Sequence, residues 1–204
     1  MIGKEKNLST IMDLRNVESF SDEELAVLVE ADKEFFGMLI RRYENSLSGY
    51  IQKLNGGTKE AVEDIVQNIF IKAYVHINSF KREQKFSNWL YRVAHNECID
   101  YWRKNKKHQT NVSLQVNEKF SADLASAEDL AEDIARKYEE EKFQKALNQL
   151  PLKYREILIL RFSEDKSYED IAHILKKPVS TVGTLVRRAK KIFKENLKKK
   201  NESR

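Results

Sequence analysis

The sequence contains very few of the residues that build disulfide frameworks, tight turns and membrane spans. One Cys in 204 residues excludes an intramolecular disulfide and a cysteine-rich metal site. Only 6 Gly and 2 Pro argue against an all-β protein, which needs many tight turns. No apolar run approaches the roughly 18 residues that span a bilayer, and the polar segment Met1–Thr10 does not read as a secretory signal. We therefore expect a mostly helical protein of the cytoplasm.

Charge is distributed unevenly along the chain, which carries a formal net charge of +5. Residues 176–200 hold ten basic side chains and one acidic one, and a second basic cluster occupies residues 103–107. Between them, residues 118–141 hold nine acids and three bases. Two basic segments separated by an acidic one indicate two contact points on one polyanion. The alternative is that these lysines are solvated surface, which is the simpler interpretation of residues 198–204.

Hydrophobic periodicity predicts an all-α fold of two small helical domains joined by a flexible linker. Apolar residues recur at steps of three and four from Phe35 to Leu54 and from Val62 to Ile77, and further helices precede and follow Pro151. A capping box at Ser21 opens the first helix, and Ser87 is the expected cap of a helix over 88–104. The predicted divisions are an N-terminal extension (1–20), a first domain (21–107), a linker (108–138), a second domain (139–198) and a basic tail (199–204).

The second domain has the pattern of a helix-turn-helix. A short helix over Tyr168–Leu175, a turn at residues 176–178 and a long basic helix follow one another. At about 100° per residue, Val182, Val186, Ala189 and Phe193 share the packing face. Hydroxyl and basic side chains suited to the DNA major groove lie opposite, namely Thr181, Thr184, Arg187, Arg188 and Lys191. An ordinary amphipathic helix with a charged face is the alternative.

Two further helix faces in the first domain have compositions suited to binding. On the helix over 88–104, Leu90, Ala94, Cys98 and Tyr101 form a buried stripe. A separate face combines an aromatic ring, an amide and arginines, as single-stranded nucleic acid requires, and consists of Trp89, Arg92, Asn96, Asp100 and Arg103. Trp89 has the alternative of completing the core. On the preceding helix, Asp64, Gln67, Ile71 and Val75 favour a protein-docking surface, with residual core contacts as the alternative.

No enzyme motif is present. The four His residues lack metal-ligand spacing, Cys98 lies on a predicted buried stripe, and Asn55-Gly56-Gly57 ends a helix rather than cradling a phosphate. We expect no catalytic residue, metal, cofactor or small-molecule substrate.

Several segments together resemble the bacterial sigma factors of RNA polymerase. Residues 64–74 and 86–104 resemble their region 2, while Leu150-Pro151, Tyr154-Arg155-Glu156, Ser167–Ala172 and Ser180-Thr181-Val182 resemble region 4. The short linker is similar to that of the extracytoplasmic-function (ECF) class. Gly183 and Leu185 depart from the resemblance, because basic residues are common at such positions, and Gly183 weakens the helix by up to about 1 kcal/mol.

The resemblance implies a partner for each surface. Core RNA polymerase would bind through its β′ clamp helices to Asp64, Gln67, Phe70 and Ile71, and through its β flap to the second domain near Leu158–Phe162. Promoter DNA would be opened and read at its minus-ten element by the loop Lys81–Lys85 and by Phe80, Lys81, Trp89, Arg92, Asn96, Arg103 and Lys104. Its minus-thirty-five element would be read by Thr181, Thr184, Arg187, Arg188 and Lys191. An anti-sigma factor is a further expected partner.

Two other classes stay open on the residues alone. A stand-alone helix-turn-helix regulator would bind duplex DNA by itself. A helical adaptor would bind only proteins, with its basic helix as solvated surface.

Overall fold

The computed structural model describes residues 20–105 and 140–201, and within these two ranges every regular element is helical. The predicted all-α fold is confirmed. The predicted linker (108–138), nearly all of the N-terminal extension and residues 202–204 lie outside the described residues, so the domain boundaries stay predictions. We call residues 20–105 the N-terminal unit and residues 140–201 the C-terminal unit. The helices are α1 (Asp22–Leu28), α2 (Glu34–Asn55), α3 (Lys59–Val75), a 3-10 turn (Ile77–Ser79), α4 (Phe86–Asn105), α5 (140–148), α6 (Leu152–Phe162), α7 (Tyr168–Leu175) and α8 (Val179–Asn201).

Local sequence signals set most helix ends. Ser21 and Ser167 begin α1 and α7 with reciprocal capping boxes, in which each serine hydroxyl accepts from a backbone amide three residues later. Thr58 caps α3 in the same way with its side chain. Gly56 and Gly57 end α2 with φ angles of 65° and 104°, which residues with a side chain adopt only at a cost.

The predicted start of α4 is wrong. The helix begins at Phe86, two residues before the expected position, and its first amide is capped from another helix: the backbone N–H of Phe86 donates to Glu23 Oε1 of α1 at 2.7 Å. Ser87 therefore lies inside the helix, and its hydroxyl accepts from Lys166 Nζ at 3.2 Å. A side chain 63 residues away supplies the cap.

Apolar side chains at helical spacing fill the N-terminal unit. Residues fully or almost fully removed from solvent include Leu25, Leu39, Leu47, Tyr50, Ile51, Leu54, Ile69, Phe86, Leu90 and Ala94. The rings of Phe80, Phe86 and Trp89 form one cluster, with centroids 5.4 to 5.9 Å apart. Burial of these rings fixes the start of α4 against the turn that precedes it.

The C-terminal unit is a helix-turn-helix packed on α6. Its buried residues include Ile157, Leu160, Ile171, Ile174, Val182, Val186 and Ala189. Lys176 ends α7 in the left-handed conformation with φ 51°, which turns the chain towards α8. The two units pack against each other, because α7 lies along α4 and α6 lies against α2. In the described part of the chain no helix has the length and apolarity needed to cross a membrane.

Candidate nucleic-acid and polymerase interfaces

The basic face of α8 lies on the surface, as its periodicity predicts. Thr181, Arg187, Arg188 and Lys191 are exposed, whereas the packing face of Val182, Val186 and Ala189 is buried. The Thr184 hydroxyl donates to the carbonyl of Ser180 at 3.1 Å, so this side chain is tied to its own helix and half-buried. The helix thus presents three cations and a hydroxyl along one side.

The face of α4 differs from the sequence prediction at one residue. Asn96, Arg103 and Lys104 are exposed, and Lys81 is exposed on the preceding loop. Trp89 is buried, with 9% of its surface accessible, and its ring packs against Phe80 and Phe86. Its alternative role of completing the core is the correct one, because the aromatic cluster at the start of α4 needs a third ring.

Arg92 and Asn88 mark the part of α4 that turns towards the C-terminal unit. One guanidinium nitrogen of Arg92 and the side-chain oxygen of Asn88 are buried and have no hydrogen-bond partner among the described residues. Both residues line a cleft of about 380 Å³ between the units. Buried polar atoms of this kind are costly unless they acquire a partner.

The third predicted surface lies on α3. Ile71 and Val75 are large apolar side chains with 60% and 67% of their surfaces exposed, and Asp64 and Gln67 are exposed beside them. Phe70 is buried beneath this surface, with its ring 6.4 Å from that of Phe36. A groove of about 440 Å³ between α2 and α3 adjoins the surface and is lined partly by Val66, Gln67, Phe70 and Ile71.

Two further side chains near these surfaces, Cys98 and Lys72, have well-defined surroundings. Cys98 is buried as expected, and burial raises the pKa of its thiol well above the usual value, which disfavours a thiolate. Lys72, on the surface of α3, forms ion pairs with Glu97 and, at 3.8 Å, with Asp100. Among the described residues no group of three or more His, Cys, Asp and Glu side chains could hold a metal ion.

Sequence reasoning missed a buried polar junction between the two units. Arg155 and Glu156, adjacent on α6, are buried. Glu156 Oε1 accepts from the Tyr50 hydroxyl at 2.8 Å and lies 2.5 Å from His95 Nδ1. Burial, with the nearby charge of Glu156, raises the pKa of Tyr50 well above its usual value, so the phenol stays a hydrogen-bond donor.

Arg155 ties the units together through backbone carbonyls. Its guanidinium donates to the carbonyl of Leu54, at the end of α2, at 2.8 Å, and to the carbonyls of Leu147, Asn148 and Leu150 beside α5. The only sequence signal for this role is an Arg-Glu pair placed directly before the apolar run Ile157–Leu160. Charged residues in such a position are buried only where they are fully paired.

A second polar cluster joins α7 to α4. Asp170 accepts from Asn88 Nδ2 at 2.7 Å and from Lys85 Nζ at 3.0 Å, while also completing the capping box with Ser167. Burial alone would raise the pKa of Asp170, but these hydrogen bonds outweigh it and hold the pKa well below the usual value. Asp170 is therefore a carboxylate under all ordinary conditions.

Comparison with known proteins gives matches in both units. The profile of Sigma-70 region 2 matches residues 39–108, and that of Sigma-70 region 4 matches residues 140–192. The chain is 32% identical over 173 residues to the ECF RNA polymerase sigma factor SigW of Bacillus subtilis. The aligned region covers 83% of this chain and 92% of SigW. It is 30% identical over 185 residues to the ECF RNA polymerase sigma-E factor of Haemophilus influenzae, covering 88% of this chain and 97% of that protein.

Solved structures with both units are also similar. The sigma factor RpoE from Bartonella quintana, in complex with the anti-sigma factor NepR, superposes with a TM-score of 0.63 and 27% identity over 80% of this chain and 96% of its own. CnrH, in complex with the cytosolic domain of CnrY, shares the fold with the same TM-score and 22% identity, over 87% of this chain and 97% of CnrH.

Proposed function

This chain belongs to the ECF class of RNA polymerase sigma factors, and we propose that it contacts core polymerase and promoter DNA through the three surfaces described above. The observation that carries this assignment of roles is their chemistry. One surface is exposed and apolar with an amide and an acid, one is a regular basic helix face, and one combines an amide and cations beside an aromatic cluster. These are the requirements of a protein partner, duplex DNA and opened DNA, respectively.

Core polymerase, through its β′ clamp helices, is the proposed partner of the α3 surface. Ile71 and Val75 would contribute apolar area that has no partner within the described residues, and Asp64 and Gln67 would supply the polar rim. Phe70 supports the surface from below rather than touching the partner directly. A second contact, with the β flap, is proposed at Phe162, which is 55% exposed at the end of α6.

The minus-thirty-five element is the proposed ligand of α8. Arg187 and Arg188 reach from the middle of the helix, where a guanidinium can bond both acceptors of a guanine edge. Thr181 and Lys191 extend the contact to phosphates at either end. Thr184 is already bonded to Ser180, so its role would be packing against the groove wall.

The minus-ten element is the proposed ligand of α4 and the loop before it. Asn96 would read an exposed base edge, Lys81, Arg103 and Lys104 would hold phosphates, and Arg92 would gain the partner that one of its nitrogens lacks. Phe80, which is half-buried, would form the apolar wall of the site, and the buried Trp89 would support it from within the core. Flipping a base costs a few kcal/mol, which stacking on this wall would offset.

Run-off transcription tests the proposed roles. Purified core polymerase is incubated with pooled genomic fragments, with and without the protein, and discrete new transcripts with two shared upstream boxes are expected only when it is added. Absence of transcripts together with failure to comigrate with core polymerase would instead favour a stand-alone DNA regulator.

Two variants then separate the surfaces. Ile71→Glu should lower the affinity for core polymerase by about tenfold or more, because it places a charge in an apolar contact. Val27→Glu is the matched control, since Val27 is a half-exposed apolar residue on α1, away from the α3 surface. Asn96→Ala should reduce open-complex formation and leave polymerase binding unchanged. Equal loss of both activities in Asn96→Ala would contradict its role.

Regulation and location follow from the same proposal. We infer that an anti-sigma factor controls the chain, supported by the similarity to RpoE, which was solved with one. We also place the protein in the cytoplasm, where core polymerase is found, and assign it no chemical reaction of its own.

A further inference from the structure

The first helix of the helix-turn-helix lies against the surface assigned to the minus-ten element. α7 packs along α4, and the two helices enclose the 380 Å³ cleft. We propose that the chain closes on itself in the absence of polymerase and DNA, with Asp170 occupying Lys85 and Asn88 beside the minus-ten surface, and that a phosphate of the minus-ten element takes the place of this carboxylate when α7 is displaced. This inference rests on the proposed assignment of the minus-ten surface.

Asp170 has the chemistry of a phosphate substitute. Its carboxylate is bound by the Lys85 ammonium and the Asn88 amide, a donor pair that serves phosphate oxygens equally well. The Asp170 side chain is only 13% exposed, whereas Lys85 is 67% exposed. Solvent therefore reaches the cation while the carboxylate is held against α4.

The closed arrangement covers α4 where DNA would approach. Lys85, Asn88, Trp89 and Arg92 line one side of the cleft. The opposite side comes from α7 and the residue before it and consists of Ser167, Glu169, Asp170 and His173. Asn88 is less than one-tenth exposed and its amide is bonded to Asp170, so a nucleotide can take over this donor only by displacing α7.

Further contacts hold the same two units together. The Tyr91 hydroxyl donates to Glu164, and the Lys166 ammonium lies 4.6 Å from the centre of the Tyr91 ring. Glu156, deeper in the junction, is bonded by Tyr50 and lies next to His95. These polar contacts lie beside apolar ones, because the buried residues of both units form one continuous hydrophobic core. Separation of the units therefore exposes apolar surface as well as breaking the polar contacts.

Zero-length carbodiimide coupling of the full free chain tests closure directly. Lys85 Nζ lies 3.0 Å from Asp170, and Lys145 Nζ lies 3.1 Å from Glu141 within α5, which provides a matched internal reference. We expect both amide cross-links, identified by mass spectrometry, in comparable yield. Addition of core polymerase and promoter DNA should lower the Lys85–Asp170 product at least fivefold and leave the reference unchanged.

Mixing isotope-labelled and unlabelled chains separates closure from dimerisation. Cross-linked peptides should carry one isotope only, and mixed-isotope peptides would overturn the proposal in favour of an exchange between two chains. Absence of the Lys85–Asp170 product, while the reference forms, would also overturn it.

Two charge-removing variants test the consequence for DNA. Asp170→Asn and Glu169→Gln remove the same charge from the first turn of α7, but only Asp170 bonds to Lys85 and Asn88. We expect free Asp170→Asn to bind the single-stranded minus-ten oligonucleotide about fivefold more tightly than free Glu169→Gln. Equal affinities would overturn the proposal. Tyr91→Phe, which removes only the hydrogen bond to Glu164, should shift affinity in the same direction and keeps the test available if Asp170→Asn is poorly folded.

The outcomes also distinguish this proposal from the function on which it rests. Cross-linking needs no promoter, so closure is scored even if transcription fails. If transcripts appear and the cross-link is absent, the promoter-binding function stands and self-closure is rejected.

Discussion

The two candidate DNA surfaces are both basic helix faces, yet the chain leaves one open and covers the first turns of the other. On α8, Arg187, Arg188 and Lys191 are exposed. At the start of α4, Asn88 is buried and bonded to Asp170 of α7, and the neighbouring Lys85 is paired with the same carboxylate. The same helix-turn-helix that presents one DNA surface thus blocks the other.

The difference lies in what each face packs against. The basic side of α8 is exposed on the outer side of its unit, opposite the buried residues Val182, Val186 and Ala189. The face of α4 adjoins the junction between the units, where polar groups of both sides are paired. Reading of the two promoter elements would therefore begin with different costs, since only the minus-ten contact requires the units to separate.

The largest expected effect comes from removing Arg155, the buried cation that holds the C-terminal unit against the N-terminal unit. Arg155→Ala should lower the free energy of unfolding by about 3–5 kcal/mol, because it leaves several buried carbonyls without their donor. Urea denaturation measures this. Arg161→Ala, which removes an arginine that is about one-third exposed on the same helix, should cost less than about 1 kcal/mol. Similar losses in both variants would mean that the junction is not specifically anchored.

A smaller effect is expected on the open face. Arg188→Ala should weaken holoenzyme binding to minus-thirty-five duplex about tenfold, and should lower the dependence of log affinity on log salt by about one. The side chain is exposed, so the free energy of unfolding should not change. Lys190→Ala removes an equal charge from beside the Phe162 ring, off this face, and should have little effect on DNA binding. Fluorescence anisotropy at several salt concentrations gives both quantities.

Helix α8, which carries the exposed DNA surface, can be stabilised without any change to the DNA surface of α4. An added Cβ at Gly183 would meet only the Tyr168 ring, at 3.7 Å, which is ordinary contact. Gly183→Ala should therefore raise the free energy of unfolding by up to about 1 kcal/mol, as expected for a helix interior. Gly56→Ala should act in the opposite direction, because its φ of 65° strains any side chain. Thermal unfolding followed by circular dichroism distinguishes the two signs.

The smallest effect concerns the pH dependence of the free energy of unfolding, to which Lys166 contributes at the junction between the units. Burial lowers the pKa of Lys166 in the folded protein below its unfolded value of about 10.4. Between these two pKa values the unfolded chain binds more protons than the folded chain. The contribution of Lys166 to the free energy of unfolding therefore rises with pH. Lys166→Met should remove that contribution. The difference in unfolding free energy between wild type and variant should move in favour of wild type as pH is raised towards 10, measured by urea denaturation. A difference that is constant with pH would show that Lys166 is fully solvated.

Whether a feature could be predicted from the sequence depended on how far apart in the chain the residues that determine it lie. The capping box at Ser21 and the packing face of α8 are set by residues three or four apart, and both are confirmed. The start of α4 was missed because its cap comes from Glu23. Helical periodicity also put Trp89 on an exposed face, since it describes one helix at a time and not the rings packed against it.

The junction between the units was beyond the reach of pattern analysis for the same reason. Arg155 and Glu156 look like surface residues in sequence, and only their partners, Leu54 and Tyr50, explain their burial. Sequence motifs gave the family, while the arrangement of its two units depended on contacts separated by about half of the chain.

The carboxylate of Glu23 on the first amide of α4 has a consequence for the order in which the protein forms. The helix-turn-helix can be capped as soon as residues 167–170 have been synthesised, because its signal is local. The first turn of α4 must wait for α1 to dock, since its cap lies 63 residues earlier in the chain. Contacts of such sequence separation slow folding. The first turn of α4 should therefore reach its native state only after α1 has docked, whereas the first turn of α7 can form from its own residues.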